Sequence, residues 1–139
     1  NERGLTLVEL LAVIVILAII AVIAFVFIGG IIENSKKDAH IANAEQIISA
    51  AKLYESIGGN LPVTVQQLQE SEHLETLFDP WTKDKYGETA QVNKEGSDYK
   101  FSQDFKGNGC TIKAGTTEQS ILKGDREDLC NEQEKPDGN

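Results

Sequence analysis

With 22 acidic and 13 basic residues among 139, the chain carries a formal net charge of −9, and 20 of the acidic against 12 of the basic residues stand from Glu33 onward. A domain of that sign repels phosphate backbones, so direct nucleic-acid binding by its main surface is not expected, a local basic tip aside. One apolar run takes up about 30 residues, and the roughly 100 that follow suffice for one small domain.

The run from Leu10 to Ile28 holds no charged or polar side chain, and its 19 residues cover roughly 30 Å at helical rise, about the hydrocarbon thickness of a bilayer. It is longer than the apolar core of a secretory signal peptide, and Gly29-Gly30-Ile31-Ile32 is a poor cleavage site. A plain anchor has no use for the carboxylate at Glu9, because an ionised side chain at membrane depth costs about 2.5 to 3.5 kcal/mol. Glu9 therefore calls for a partner, unless it simply lies at the interfacial edge of an anchor helix.

Gly4-Leu5-Thr6-Leu7-Val8-Glu9-Leu10-Leu11, with the aliphatic run behind it, resembles the processing site and helix start of the type IV pilin superfamily, which comprises pilins, secretion pseudopilins and competence pseudopilins. The resemblance implies that prepilin peptidase, a membrane-embedded aspartyl peptidase, cuts between Gly4 and Leu5 on the cytoplasmic side and methylates the new N-terminus. Glu9 becomes the fifth mature residue. In a filament its carboxylate meets the new amine of a neighbouring Leu5, so that neither charge stays unpaired in an apolar core.

Two features depart from the family pattern. Where the family commonly has a helix-kinking proline this chain has Val26, between Phe25 and Phe27, with Gly29 and Gly30 close behind. Glycines in a helix lower its stability by about 1 kcal/mol each relative to alanine, so bending or melting in a filament is expected at that pair; close helix packing is the alternative use for it. The sequence also contains no methionine. Asn1-Glu2-Arg3-Gly4 reads either as the tail of a leader or as residues that survive an atypical cut, and in the second case the amine moves away from Glu9.

Arg3 on one side of the run and Lys36-Lys37 on the other leave the orientation open by charge; the resemblance places the N-terminus inside and the domain outside. From Glu33 the helix continues. Ile41, Ala44, Ile47, Ile48, Ala51, Tyr54 and Ile57 recur at spacings of three and four, the pattern of a helix with one buried face, and Gly58-Gly59 supplies a stop. A short helix over Val65 to Ser71 follows, with Thr64 as its N-cap. Asn60-Leu61-Pro62, the Leu68 segment and Asp79-Pro80-Trp81 together look like the head of the major pseudopilins of type II secretion, a layout that some pilins of Gram-positive bacteria share.

Beyond Trp81, β-compatible runs at Thr89 to Val92, Tyr99 to Ser102 and Cys110 to Ile112 are separated by Gly87, by Glu95-Gly96-Ser97-Asp98 and by Gly107-Asn108-Gly109. Antiparallel strands covering the apolar stripe of the helix make an α+β fold. The expected organisation is a leader remnant at 1–4, a membrane and filament-core helix at 5–32, and a globular head at 33–139, divided into a helical half at 33–57 and loops, sheet and disulfide loop at 58–139. The tail from Asn131 to Asn139 is polar.

Cys110 and Cys130 are the two cysteines. In the oxidising compartment that the N-terminal segment implies, they are expected to close a loop of about 20 residues, worth around 3 kcal/mol on the chain-entropy estimate. With no histidine beside them they make a poor zinc site. His40 on the long helix and His73 in a polar loop are expected to face solvent, and neither stands near a nucleophile. Asp98, Asp104, Asp125 and Asp128 are the candidates for calcium, which the late loops of resembling pseudopilins hold; no EF-hand spacing accompanies them. No other cofactor is expected.

The reading is a structural subunit and not an enzyme. It enters the membrane as a monomer, meets prepilin peptidase, and is drawn by an assembly platform and motor into a homo-oligomeric helical filament on the cell surface. Heterologous contacts that do not close generate such a fibre. The alternatives are a pseudopilin of a type II secretion or competence system and, from another class, an extracellular binding module on a membrane anchor.

Overall fold

The computed structural model describes residues 2–87 and 90–130, and for residues 2–5 the helical backbone alone. The polar tail 131–139, Thr89 of the expected first strand, Asn1 and the Leu5 side chain lie outside the described residues. The chain forms two compact units, Asn1–Asn34 and Ser35–Asn139.

Helix α1, Glu2–Ser56, runs for 55 residues. Its first part is rich in Ile and Val, which are indifferent helix formers in water. In hydrocarbon the constraint is different, because every N–H and C=O must be satisfied within the segment and a helix does this alone. The sequence contains no proline before Pro62, so nothing breaks the ladder, and Gly29 and Gly30 remain helical. Every large apolar side chain from Leu7 to Ile32 is between 47% and 82% exposed within the chain.

The helix ends as its glycines dictate. Gly58 takes φ +101° and donates to the Glu55 carbonyl at 3.0 Å while Gly59 donates to that of Tyr54 at 2.9 Å. This paired closure caps the last carbonyls and needs a left-handed residue at Gly58. Because α1 stops at Ser56, Ile57 leaves the apolar stripe and is 64% exposed, contrary to its expected place in the core.

In the second unit, the α1 residues Ile41, Ala44, Ile47, Ile48 and Ala51 are buried. Strand β1, Val63–Thr64, leads directly into α2, Val65–Glu70. Thr64 caps α2: its Oγ1 accepts from Gln67 N at 3.1 Å, and its own N donates to Gln67 Oε1 at 2.9 Å, a reciprocal capping box. Strands β2, Gln91–Glu95, and β3, Asp98–Gln103, complete a three-stranded antiparallel sheet in the order β1-β2-β3, with Val63 opposite Val92 and Val92 opposite Phe101. The free edge of β3 is covered: Phe101 N donates to Thr116 O and Gly115 N to Phe101 O, which removes an open pairing edge.

A second antiparallel pair, β4 (Phe105–Lys106) with β5 (Thr111–Ile112), sets Phe105 opposite Ile112. Two short helices close the described chain, α3 at Glu118–Lys123, capped by Thr117, and α4 at Arg126–Cys130. Leu68, Val92, Phe101, Phe105, Ile112 and Ile121 meet the α1 stripe in one buried cluster. The architecture is α+β, one long helix with small antiparallel sheets of three and two strands.

Candidate assembly and processing site

Gly4 and Leu5 fall in the first turns of α1, and Glu9 stands one turn further on with its side chain exposed. From Leu10 to Ile32 the helix has no ionisable residue. Its most apolar stretch of 18 residues has a mean hydropathy of 3.6, and none of it is buried within the chain. That length and composition suffice to cross a membrane. So large an unburied apolar surface needs lipid or protein against it. Around Gly29 and Gly30 an added Cβ would meet no atom of the chain within 4 Å, so packing within the chain does not require either glycine.

The Cys110–Cys130 disulfide is formed, with Cα atoms 4.7 Å apart and both cysteines buried. It joins the start of β5 to the end of α4. Arg126 grips both carboxylate oxygens of Asp38 at 2.8 and 2.9 Å, and Lys52 pairs with Glu118 at 2.6 Å. The last two helices are thus tied to α1 by two ion pairs and to the sheet by the disulfide.

His40 overturns the sequence expectation of a solvent-facing residue. It is fully buried, stacked on Phe105 with ring centroids 4.3 Å apart and edge-on to Trp81 at 5.8 Å. Its Nε2 lies 3.2 Å from the Phe105 carbonyl, which can only accept, so Nε2 carries the proton. Nδ1 then accepts from the Tyr86 hydroxyl at 2.9 Å, which in turn accepts from Asn43 Nδ2 at 2.9 Å. Burial pushes the imidazole down to about 4 and the Tyr86 phenol up to about 12. The signal was present in the spacing: 40, 44, 47 and 51 are one helical row. His73 sits half-buried in its loop, Nδ1 2.8 Å from Ser71 Oγ and its ring edge-on to Tyr54.

Asp79 is a second buried polar residue that the sequence did not single out by itself. One carboxylate oxygen accepts from Trp81 N at 2.8 Å and the other from Asn108 N at 3.0 Å. The indole lies so close to the Gly107-Asn108-Gly109 turn that a Cβ on Gly109 would come within 2.5 Å of it. Asp79-Pro80-Trp81 therefore clamps two distant segments, and glycine at 109 is a requirement of close approach. At the far end of the second-unit helix, Glu55 accepts from Tyr99 and Lys94, and the Tyr99 hydrogen bond first, then Lys94, holds its carboxyl below the usual range.

The four aspartates proposed for calcium are spread along the second unit. Asp98 opens β3, Asp104 lies between β3 and β4 and accepts from Ala114 N at 2.8 Å, and Asp125 accepts from Asp128 N at 3.0 Å. Among the described residues, no three His, Cys, Asp or Glu side chains gather in a group that could hold a metal.

Residues 1–25 match the prokaryotic N-terminal methylation motif, the signature that type IV pilins and pseudopilins carry. No curated protein and no solved structure matches the chain.

Proposed function

We propose that this chain, with the type IV pilin and pseudopilin signature at its N-terminus, is the major structural subunit of a type IV pilus. The motif itself supports the coarser statement, a pilin-like or pseudopilin substrate of prepilin peptidase, and points to a structural protein. Motif and apolar helix together fit a membrane-anchored precursor that becomes part of a surface filament. The observation that supports a filament subunit, pilin or pseudopilin, is the unburied apolar face of α1 from Leu7 to Ile32. Lipid covers such a face in the precursor, and the same face on other copies covers it in a fibre.

In this reading the peptidase cuts between Gly4 and Leu5, the carboxylate of Glu9 meets the amine of a neighbouring Leu5, and Gly29-Gly30 is where the helix yields. A platform and motor supply the extraction. A pseudopilin is the second reading, favoured by Asn60-Leu61-Pro62 and the Asp79-Pro80-Trp81 clamp, which look like the heads of major type II secretion pseudopilins.

Mass spectrometry of the N-terminal peptide in material sheared from whole cells and in washed membranes tests the proposal. A methylated terminus at Leu5 in abundant sheared material is the expected result. The same terminus confined to membranes would move the chain to the pseudopilin class. An unprocessed monomer in membranes would make it an anchored binding module.

A further inference from the structure

The sequence sets an asparagine before a glycine once, at Asn108-Gly109. The carboxamide of an asparagine is open to attack by the backbone nitrogen of the next residue when that nitrogen is unhindered and makes no hydrogen bond, and glycine, with no Cβ, hinders it least. The pair lies in the turn between β4 and β5, outside any helix or strand, and Asn108 is exposed. Among the described residues, neither the Asn108 carboxamide nor the Gly109 N–H has a hydrogen-bond partner. The turn is held instead through Asn108 N, which donates to an Asp79 carboxylate oxygen at 3.0 Å, and through Gly107 N, which donates to Cys110 O at 2.8 Å.

The other described asparagines are protected. Asn34 and Asn43 lie within α1, where the following amides belong to the helical ladder, and Asn43 Nδ2 donates to Phe78 O and to the Tyr86 hydroxyl. Asn93 lies in β2, and the next amide, that of Lys94, donates to the Asn93 Oδ1 at 2.8 Å. Asn60 precedes Leu61, whose branched side chain shields the nitrogen. Nor can the fold dispense with the glycine after Asn108. A Cβ at residue 109 would lie 2.5 to 2.7 Å from atoms of the Trp81 indole, so the packing that demands Gly109 also keeps the reactive neighbour in place.

We propose that Asn108 is a site of self-modification, converted by its own chain to aspartate and isoaspartate, and that the conversion loosens the Asp79-Pro80-Trp81 clamp. The Gly109 nitrogen gives up its proton and attacks Asn108 Cγ; the Cγ–Nδ2 bond breaks, ammonia leaves with that proton, and a succinimide remains. Water then adds to one of the two ring carbonyls. Opening at Cγ gives aspartate, and opening at the main-chain carbonyl gives isoaspartate, so the sum is one water consumed and one ammonia released. Both products set a new carboxylate beside that of Asp79, and like charges at close range repel. Isoaspartate also lengthens the main chain by one carbon between Phe105, stacked on His40, and Cys110, held by the disulfide. The indole of Trp81 is seated against Gly107 and Gly109, so a displaced turn releases it. The proposal is independent of the filament reading and applies to a pilin and a pseudopilin alike.

The test incubates the full-length protein, solubilised in detergent, at neutral and at mildly alkaline pH in heavy-oxygen water, then reduces, alkylates and digests it after lysine. The peptide 107–113 carries Asn108 as its sole asparagine. The expected result is a progressive loss of the unmodified peptide, faster at the higher pH, with one heavy oxygen in the product and both aspartate and isoaspartate present. Peptides carrying Asn34, Asn43, Asn60 and Asn93 stay unchanged over the same time. Trp81 is the single tryptophan, so its fluorescence should shift in step with the conversion. In Asn108→Gln neither the loss nor the shift should occur. Persistence of unmodified 107–113 in the folded chain, while the urea-unfolded chain converts, would show that the fold protects the site and overturns the proposal. Conversion without isoaspartate would overturn the succinimide route, and conversion that leaves the Trp81 signal unmoved would overturn the link to the clamp.

Discussion

A histidine shut away from water with both ring nitrogens engaged answers acid in a defined direction. His40 donates from Nε2 and accepts at Nδ1, so a second proton has nowhere to go unless Tyr86 gives up its donated hydrogen bond. Burial lowers the folded pKa from 6.5 to about 4. The unfolded chain therefore takes up a proton from pH 6.5 downward, while the folded chain resists until about pH 4. Stability is full above pH 6.5, declines through the window from 6.5 to 4, and levels off below it, with a total loss of roughly 3 kcal/mol from this group. Thermal unfolding followed from pH 7 to pH 4 should show that slope in the wild type. In His40→Gln the part of the slope due to residue 40 should vanish, although the variant starts from a lower stability. Parallel curves for the two proteins would mean that His40 is not the titrating group. The Phe105 hydrogen bond and the charge of Asp79 draw the histidine's pKa upward and so work against the burial.

Among the elements, the C-terminal pair α3 and α4 depends most on a single bond. Both are short, six and five residues, too short to persist as isolated helices. Their attachments are Ile121 in the core, two part-exposed ion pairs and the disulfide. Exposed ion pairs contribute at most about 1 kcal/mol each, whereas a disulfide closing a loop of this length contributes about 3 kcal/mol. Cys110→Ser should accordingly lower stability by about that amount and raise hydrogen exchange first in residues 113–130. Uniform exchange, or an unchanged melting temperature, would contradict this. Much of this layout was legible beforehand, and for identifiable reasons. The stripe on α1, the Thr64 cap, the Gly58 stop and the cysteine pairing are local or compartment-dependent signals. The covered edge of β3, the Asp79 clamp and the burial of His40 were not, because each depends on residues 14 to 65 positions away meeting in space. A polar side chain on an apolar row is read as solvent-facing unless its partners are known, and Phe105, Tyr86 and Asn108 are visible only in the fold.

For the molecule as a whole, the question is what separates insertion from assembly. Insertion needs an apolar length, and α1 has it from Leu10 onward with no help from Glu9. Assembly exchanges lipid for the helices of other copies, an exchange between surfaces of nearly equal polarity, so hydrophobicity alone gives little direction to it. A specific polar contact is then what selects one register, and Glu9 is the one carboxylate within the apolar part of the helix before Glu33. Removing one partner of a buried ion pair costs about 3 to 5 kcal/mol, because the other charge stays buried without compensation. Under the pairing proposed above, Glu9→Ala places that cost on the neighbour's new amine, where it recurs at every subunit added. The variant should reach the membrane fraction at wild-type levels, be cut before Leu5, and yield little or no sheared filament; Glu9→Gln, which keeps shape and hydrogen bonding without charge, should lie between the two. Normal filaments from Glu9→Ala would mean that register comes from contacts other than this one.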